Sequence, residues 1–136
     1  MNTKTIKLCG KDVQIGYCAA TENAFENFSD KSIQVFVPTY GKDENGKDIM
    51  IAPAEAKLGD YVLLAFAGIF TAYEYSSATP PITSNDLLYH ISSVERNVLI
   101  ETIIALRNEW YGIPAVVKES LTTEDTEADK GESEKN

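Results

Sequence analysis

An α+β fold dominated by helix is what the sequence predicts, on three observations. The stretch "TIKLCGKDVQIGY" alternates, with Ile6 and Leu8 before Gly10-Lys11 and Val13, Ile15 and Tyr17 after it. Period-two alternation broken by a turn dipeptide is a β-hairpin with one buried face. From residue 60 to 77, and again from 92 to 112, the apolar residues recur at helical spacing instead. With 136 residues, 43% of them apolar, the chain is long enough for a core, and one domain is the default at this length.

In chain order, the hairpin comes first, with its turn at Gly10-Lys11. That register pairs Cys9 with Asp12 rather than with Cys18, which argues against a bridge between the two cysteines. Thr21 then offers an N-cap for a short helix. Ala20, Ala24, Phe25 and Phe28 share its spacing, and both phenylalanines are expected to pack on the hairpin. Ser29-Asp30 ends this helix or caps another turn.

A second hairpin is expected over residues 33–51. Ile33, Val35 and Val37 alternate, "IMIAP" is apolar, and Asn45-Gly46 between them is a strong signal for a type I′ turn. A helix through Phe36 competes, but Pro38 would cut it short. Asp43, Glu44, Asn45 and Asp48 do not form a calcium loop, because the glycine spacing is wrong and no glutamate closes the loop. They read as an exposed polar turn.

Asp60 can cap the next helix, on which Val62, Phe66, Ile69, Phe70 and Tyr73 form one stripe. Ala65, Ala67 and Gly68 occupy its other sides. A helix so poor in polar positions is expected to lie at the centre of the domain. "SATPPIT" is an extended loop with Ile82 as a staple before a short helix capped by Thr83 or Ser84. The last helix opens with a capping box from Ser92 to Glu95. Val94, Leu99, Ile103, Leu106 and Trp110 make its apolar stripe, widened by Val98 and Ile100. Gly112 and Pro114 end it. Trp110 is expected in the core, with Tyr111 at the rim.

Charge divides the chain. Residues 118–136 hold seven acids, three lysines and one sizeable apolar residue, Leu121. They are expected to be a disordered acidic tail on a globular domain of residues 1–117. The net charge of −9 disfavours a nucleic-acid ligand, since phosphate affinity needs clustered Lys and Arg. A cationic or amphipathic protein partner suits it better. Two cysteines make no disulfide framework. "MNTKTIKLCG" has no signal-peptide core, and the apolar run 61–73 is too short for a membrane span. These features predict a soluble cytoplasmic protein with reduced thiols.

No catalytic, cofactor-binding or metal-binding residues are predicted. His90 is the sole histidine and has no close cysteine. The chain carries no Gly-x-Ser-x-Gly elbow, Walker loop or Gly-x-Gly-x-x-Gly fingerprint. The expectation is therefore a protein that is not an enzyme.

Taken in order, "KTIKLCGKDVQIGYCAATENAFENF", "GDYVLLAFAGIFTAYEY" and "PPITSNDLLYHISSVERNVLIETIIALRNEWYGIPA", followed by a charged end, resemble the small tail assembly chaperones of long-tailed bacteriophages and prophages. The resemblance is closest to versions from phages of Bacteroides-type bacteria and covers roughly residues 3–115. Its most specific piece is "LRNEWYGIPA", preceded by "SNDLLY"; segment 33–51 fits the family less well, as an inserted hairpin would. The resemblance implies a small, acidic, mostly helical protein without an active site. It implies coating of the long, hydrophobic tape measure protein before the tail tube polymerises around it. It also implies absence from the finished virion and, in some members, a frameshifted extension that recruits tail tube subunits.

A chaperone for such a helical client needs an exposed apolar groove or patch for amphipathic segments, and enough like charge to keep the loaded complex soluble. The candidate partner-binding residues are Phe25, Phe28, Tyr73, Tyr75, Tyr89 and Tyr111, with Tyr75 and Tyr111 the best placed because each sits beside a helix end. The partners implied are the tape measure protein and the tail tube protein, with no nucleic acid and no membrane; a homo-oligomer is left open. Two alternatives stand: a structural phage tail component, which should be β-rich, and a small acidic regulatory binding protein.

Overall fold

The computed structural model describes residues 1–113. The acidic tail expected over 118–136, and the last residues of the expected domain, lie outside the described residues.

Strands β1 (Asn2–Leu8) and β2 (Lys11–Tyr17) pair antiparallel, from Asn2 opposite Tyr17 to Leu8 opposite Lys11. The turn is Cys9-Gly10, one residue earlier than the sequence suggested, so Asp12 faces Lys7 and not Cys9. Both turn residues have positive φ, 53° at Cys9 and 76° at Gly10, as a type I′ turn requires. Glycine adopts that conformation freely. Cys9 is held in it from outside, by donating its backbone N–H to the Glu95 carboxylate at 3.0 Å. Cys9 and Cys18 are free thiols.

Helix α1 (Ala19–Ser29) is capped by Cys18, not by Thr21. Thr21 sits inside the first turn, fully buried, and its Oγ1 accepts the Cys18 N–H at 3.1 Å. The same hydroxyl lies 2.8 Å from the Thr71 hydroxyl, which donates to the Ala67 carbonyl at 3.0 Å. Thr21 therefore donates to Thr71, and a continuous relay leaves neither hydroxyl unpaired in the core. Asp30, in the left-handed region at φ 61°, ends the helix.

Residues 33–36 are not a strand. Ile33–Phe36 is a 3-10 turn opened by Ser32, whose hydroxyl accepts the Gln34 N–H. It turns Phe36 inward, edge-on to Phe25 and Tyr61 with ring centroids 5.0 Å away in each case. Burial of that ring outweighs the alternation of its neighbours. The second hairpin is consequently shorter than 33–51. It comprises β3 (Thr39–Lys42) and β4 (Asp48–Ala52), antiparallel, with an irregularity between Thr39 and Tyr40. Its connection is also not a type I′ turn. The Asp43 carbonyl accepts the Gly46 N–H, the Asp43 carboxylate accepts the N–H groups of Asn45 and Lys47, and Gly46 alone has positive φ. An aspartate at the first position, its carboxylate bonded to the next amides, favours a type I turn followed by a left-handed glycine.

Helix α2 (Leu58–Tyr75) is the centre of the fold. It packs on α1, on β2 and on α3 (Ser93–Tyr111). Leu64, Ala65, Ala67 and Ile69, which point in different directions around it, are all fully buried. Its cap is Lys57, and Asp60 lies one turn in rather than at the cap. From there the Asp60 carboxylate accepts the Lys57 N–H at 2.9 Å and pairs with the Lys31 ammonium at 2.9 Å, joining the end of α1 to the start of α2. Gly68 is the point of closest approach: a Cβ built there would stand 2.6 Å from the Gly16 carbonyl oxygen and 2.8 Å from Ile103 Cδ1.

After α2, Ile82 and Leu87 are buried against the core. Thr83 caps a short helical segment that ends as a π turn over Asp86–His90, with Thr83 and Asp86 exchanging hydrogen bonds. The capping box of α3 forms as expected: Ser92 and Glu95 each accept the other's backbone N–H. Leu99, Ile103 and Leu106 enter the core. Val94, placed on the same stripe by its spacing, is exposed, because the packed part of the stripe begins one turn later. Gly112, at φ 76°, closes the helix, and the next amide, from Ile113, bonds back to Asn108.

Two predictions follow from this packing. Gly68→Ala should destabilise the protein by about 1–3 kcal/mol in denaturant titration, because overpacking against β2 exceeds the helix-propensity gain of alanine. The Asp60 carboxyl is acted on first by burial, which raises its pKa. Hydrogen bonds from Lys31 and the Lys57 amide, with the charges of both lysines, outweigh burial and hold it below the ordinary 3.8. A depressed folded pKa adds stability above the ordinary value and loses it as pH falls through the folded one. Asp60→Asn should therefore be less stable at pH 7, by about 1–3 kcal/mol. Its stability should also fall less steeply than the parent's below about pH 4, measured as the urea midpoint against pH.

Candidate partner-docking surface

Four large apolar side chains, Tyr40, Ile49, Met50 and Ile51, are left in water on the second hairpin. Ile49, Met50 and Ile51 are consecutive in β4, so they occupy both faces of the ribbon. Met50 is 56% exposed and Ile51 65%. Tyr40, on β3 opposite Met50, is 62% exposed. A strand packed on a core buries one face. Here neither face is covered, because the hairpin packs chiefly on itself and meets the body at its root. There the Ala56 N–H bonds to the Val35 carbonyl at 2.8 Å. Both outer strand edges are open. Beside the root lies a cleft of about 780 Å³, walled by Val35, Val37, Pro38, Pro53 and Ala54, with Glu55 the one ionisable side chain on its lining.

Compared with known proteins, the chain matches no family model, no curated protein and no solved structure.

The six residues singled out from the sequence do not form one surface. Phe25 is fully buried and offers a partner nothing; it serves the core against Phe36. Phe28 does not pack on the hairpin as expected. It leans on Phe66 and Phe70 of α2, with centroids 5.5 Å away in each case, and keeps about two-fifths of its surface in water. Tyr73 is half-buried, its hydroxyl accepting the Gln14 N–H at 3.1 Å. Tyr75 and Tyr89 are the most exposed, at 79% and 76%, at the end of α2 and on the π turn beside exposed Leu88.

Tyr111 belongs to a cluster of its own. Its hydroxyl and that of Tyr17 both donate to one oxygen of Glu22, and Arg107 lies over its ring at 4.8 Å. Burial, then the Glu22 carboxylate, pushes both phenols upward in pKa, so they remain protonated donors. Trp110 joins this cluster rather than the core: 45% exposed, it rests on Tyr17 at 5.7 Å and on Tyr111 at 4.9 Å. The helix ends there, and among the described residues no element lies beyond Tyr17 to cover the indole. Two small hollows, one reaching Tyr75 and the other Trp110, share Met1 and Cys18 on their linings.

His90 stands in the open, its Nδ1 3.0 Å from the Asp86 carboxylate. Among the described residues no group of His, Cys, Asp and Glu is placed to hold a metal, and no helix is long and apolar enough to cross a membrane.

The apolar run in β4 is visible in the sequence as "IMIA", and the hairpin it belongs to was expected, but nothing in the sequence marks it as exposed. Glu22, which collects two tyrosines, carried no sequence signal at all. Trp110→Ala should cost about 1–2 kcal/mol in chemical denaturation, below the ~3–5 kcal/mol of a fully buried aromatic.

Proposed function

We propose that this protein is a phage tail assembly chaperone. It binds the tape measure protein and keeps it soluble until the tail tube forms around it, without catalysing a reaction. The observation that carries the proposal is the exposed apolar hairpin, which lends hydrophobic area to another chain while the core remains closed. A net charge of −9 supports the same role by keeping a loaded complex in solution. The likeness of the segments at 4–28, 59–75 and 80–115, in that order, to that chaperone family supports it as well. The helix-dominated fold favours it over a β-rich structural component of the tail. Against an acidic regulator that mimics DNA stands the division of charge, since the acids on the described body are interleaved with lysines.

The test is co-expression with the tape measure protein of the genome that encodes the chain. That client should move from the insoluble to the soluble fraction and co-purify with this protein. Ile51→Lys should reduce the effect severalfold while leaving the melting temperature of the chaperone unchanged, since exposed substitutions shift stability by no more than about 0.5 kcal/mol. A tape measure protein equally insoluble with and without the chain would overturn the proposal.

A further inference from the structure

The hairpin has the geometry of a sheet with two free edges. We infer that the open edge of β4 takes an extended, apolar segment of the partner as an added strand, with a lysine or arginine of that segment set against Glu55 at the root cleft. This rests on the hairpin being the working surface. Three features select an extended occupant. The edge of β4 presents unpaired backbone donors and acceptors, which an added strand satisfies and a helix, bonded internally, cannot. Ile49 and Ile51 lie on one face of the ribbon and Met50 on the other, so alternate side chains of an added strand meet apolar neighbours on both faces. The cleft lies where β4 ends, walled by Val37, Pro38 and Pro53, where a side chain continuing past Ala52 would lodge.

Charge then selects among extended segments. Between residues 38 and 56 the chain carries Asp43, Glu44, Asp48 and Glu55 against Lys42 and Lys47. Lys42 is held by Asp48 at 2.6 Å, and the Asp43 carboxylate is turned onto its own loop amides. Glu44 and Glu55 have neither kind of partner among the described hydrogen bonds and ion pairs, and of the two it is Glu55 that borders the cleft. A cationic residue on the incoming segment complements it. A second copy of this chain would bring the same net negative hairpin instead.

Binding of short synthetic peptides to the full chain, followed by calorimetry and by amide chemical shifts of residues 48–52, tests the inference. The probe is a peptide of alternating valine and threonine with lysine at both ends. It should bind, shift the β4 amides, and lose about tenfold or more in affinity when its alternate amides are N-methylated. Glutamate ends in place of lysine should weaken it several-fold, and Glu55→Gln should remove most of that difference, the two- to fivefold of an exposed ion pair. Equal affinity for the N-methylated peptide, or tighter binding of an amphipathic helical peptide of the same composition, would overturn the added-strand geometry. Indifference to the charge of the peptide ends would overturn the role of Glu55. Concentration-dependent dimers abolished by Ile51→Lys, with no peptide bound, would show that a second copy covers the edge. If the tape measure protein is made soluble yet no extended peptide binds, this inference fails and the chaperone proposal stands; the reverse result sinks the proposal and leaves the peptide site.

Discussion

The close approach of α2 to β2 at Gly68 and Gly16 is the constraint on which the rest of the arrangement depends. A carbonyl oxygen 2.6 Å from where a Cβ would stand means that helix and ribbon touch backbone to backbone. Only at that distance do Ile15, Leu64 and Ile103 all lose their water together. Packed by β2, α1 and α3, α2 buries most of its circumference and leaves only Leu63, Phe66, Phe70 and Tyr73 partly in water along its middle, which is why its sequence holds so few polar residues. Those it does bury, Thr71 and Asp60, are each engaged by a neighbouring element.

Polar ties then fix the surrounding elements in rotation about that axis. Glu95 is the clearest case. One carboxylate oxygen completes the cap of α3 and the other takes the Cys9 amide, so the helix start and the hairpin turn are fastened by one side chain. The cap amide of Ser92 and then the Cys9 amide lower its pKa, keeping it an anion that accepts from both. At the opposite end, Glu22 plays the same part for α1, β2 and α3 by collecting Tyr17 and Tyr111. The Thr21–Thr71 relay supplies the third tie, inside the core.

Most of the regular structure was legible from short-range rules. The first hairpin, the three long helices, the Ser92–Glu95 box and the Gly112 stop follow from periodicity and capping chemistry, which are properties of neighbouring residues. What was misread depended on distant ones. The Cys9-Gly10 turn is shifted because Glu95, 86 residues away, supports a conformation that a cysteine alone would avoid. Ile33–Phe36 coils because Phe25 and Tyr61 offer Phe36 a place. Trp110 is half in water because, among the described residues, no element lies past Tyr17, and helical spacing reveals the side of a helix but not how far the neighbouring element extends. Of the docking residues, spacing located Tyr75 and Tyr89 on the surface but could not separate Phe25, which is core, from Phe28, which is not. The hairpin itself was expected, though its exposure was not, since apolar strands are ordinarily covered.

The root of the second hairpin has a consequence for how such a chain changes over time. Because β3 and β4 lean chiefly on each other and join the body near a single backbone bond from Ala56 to Val35, the ribbon behaves as an interchangeable cassette. Changes to its length, tip or greasy residues leave the contacts among the helices that hold it aloft in place.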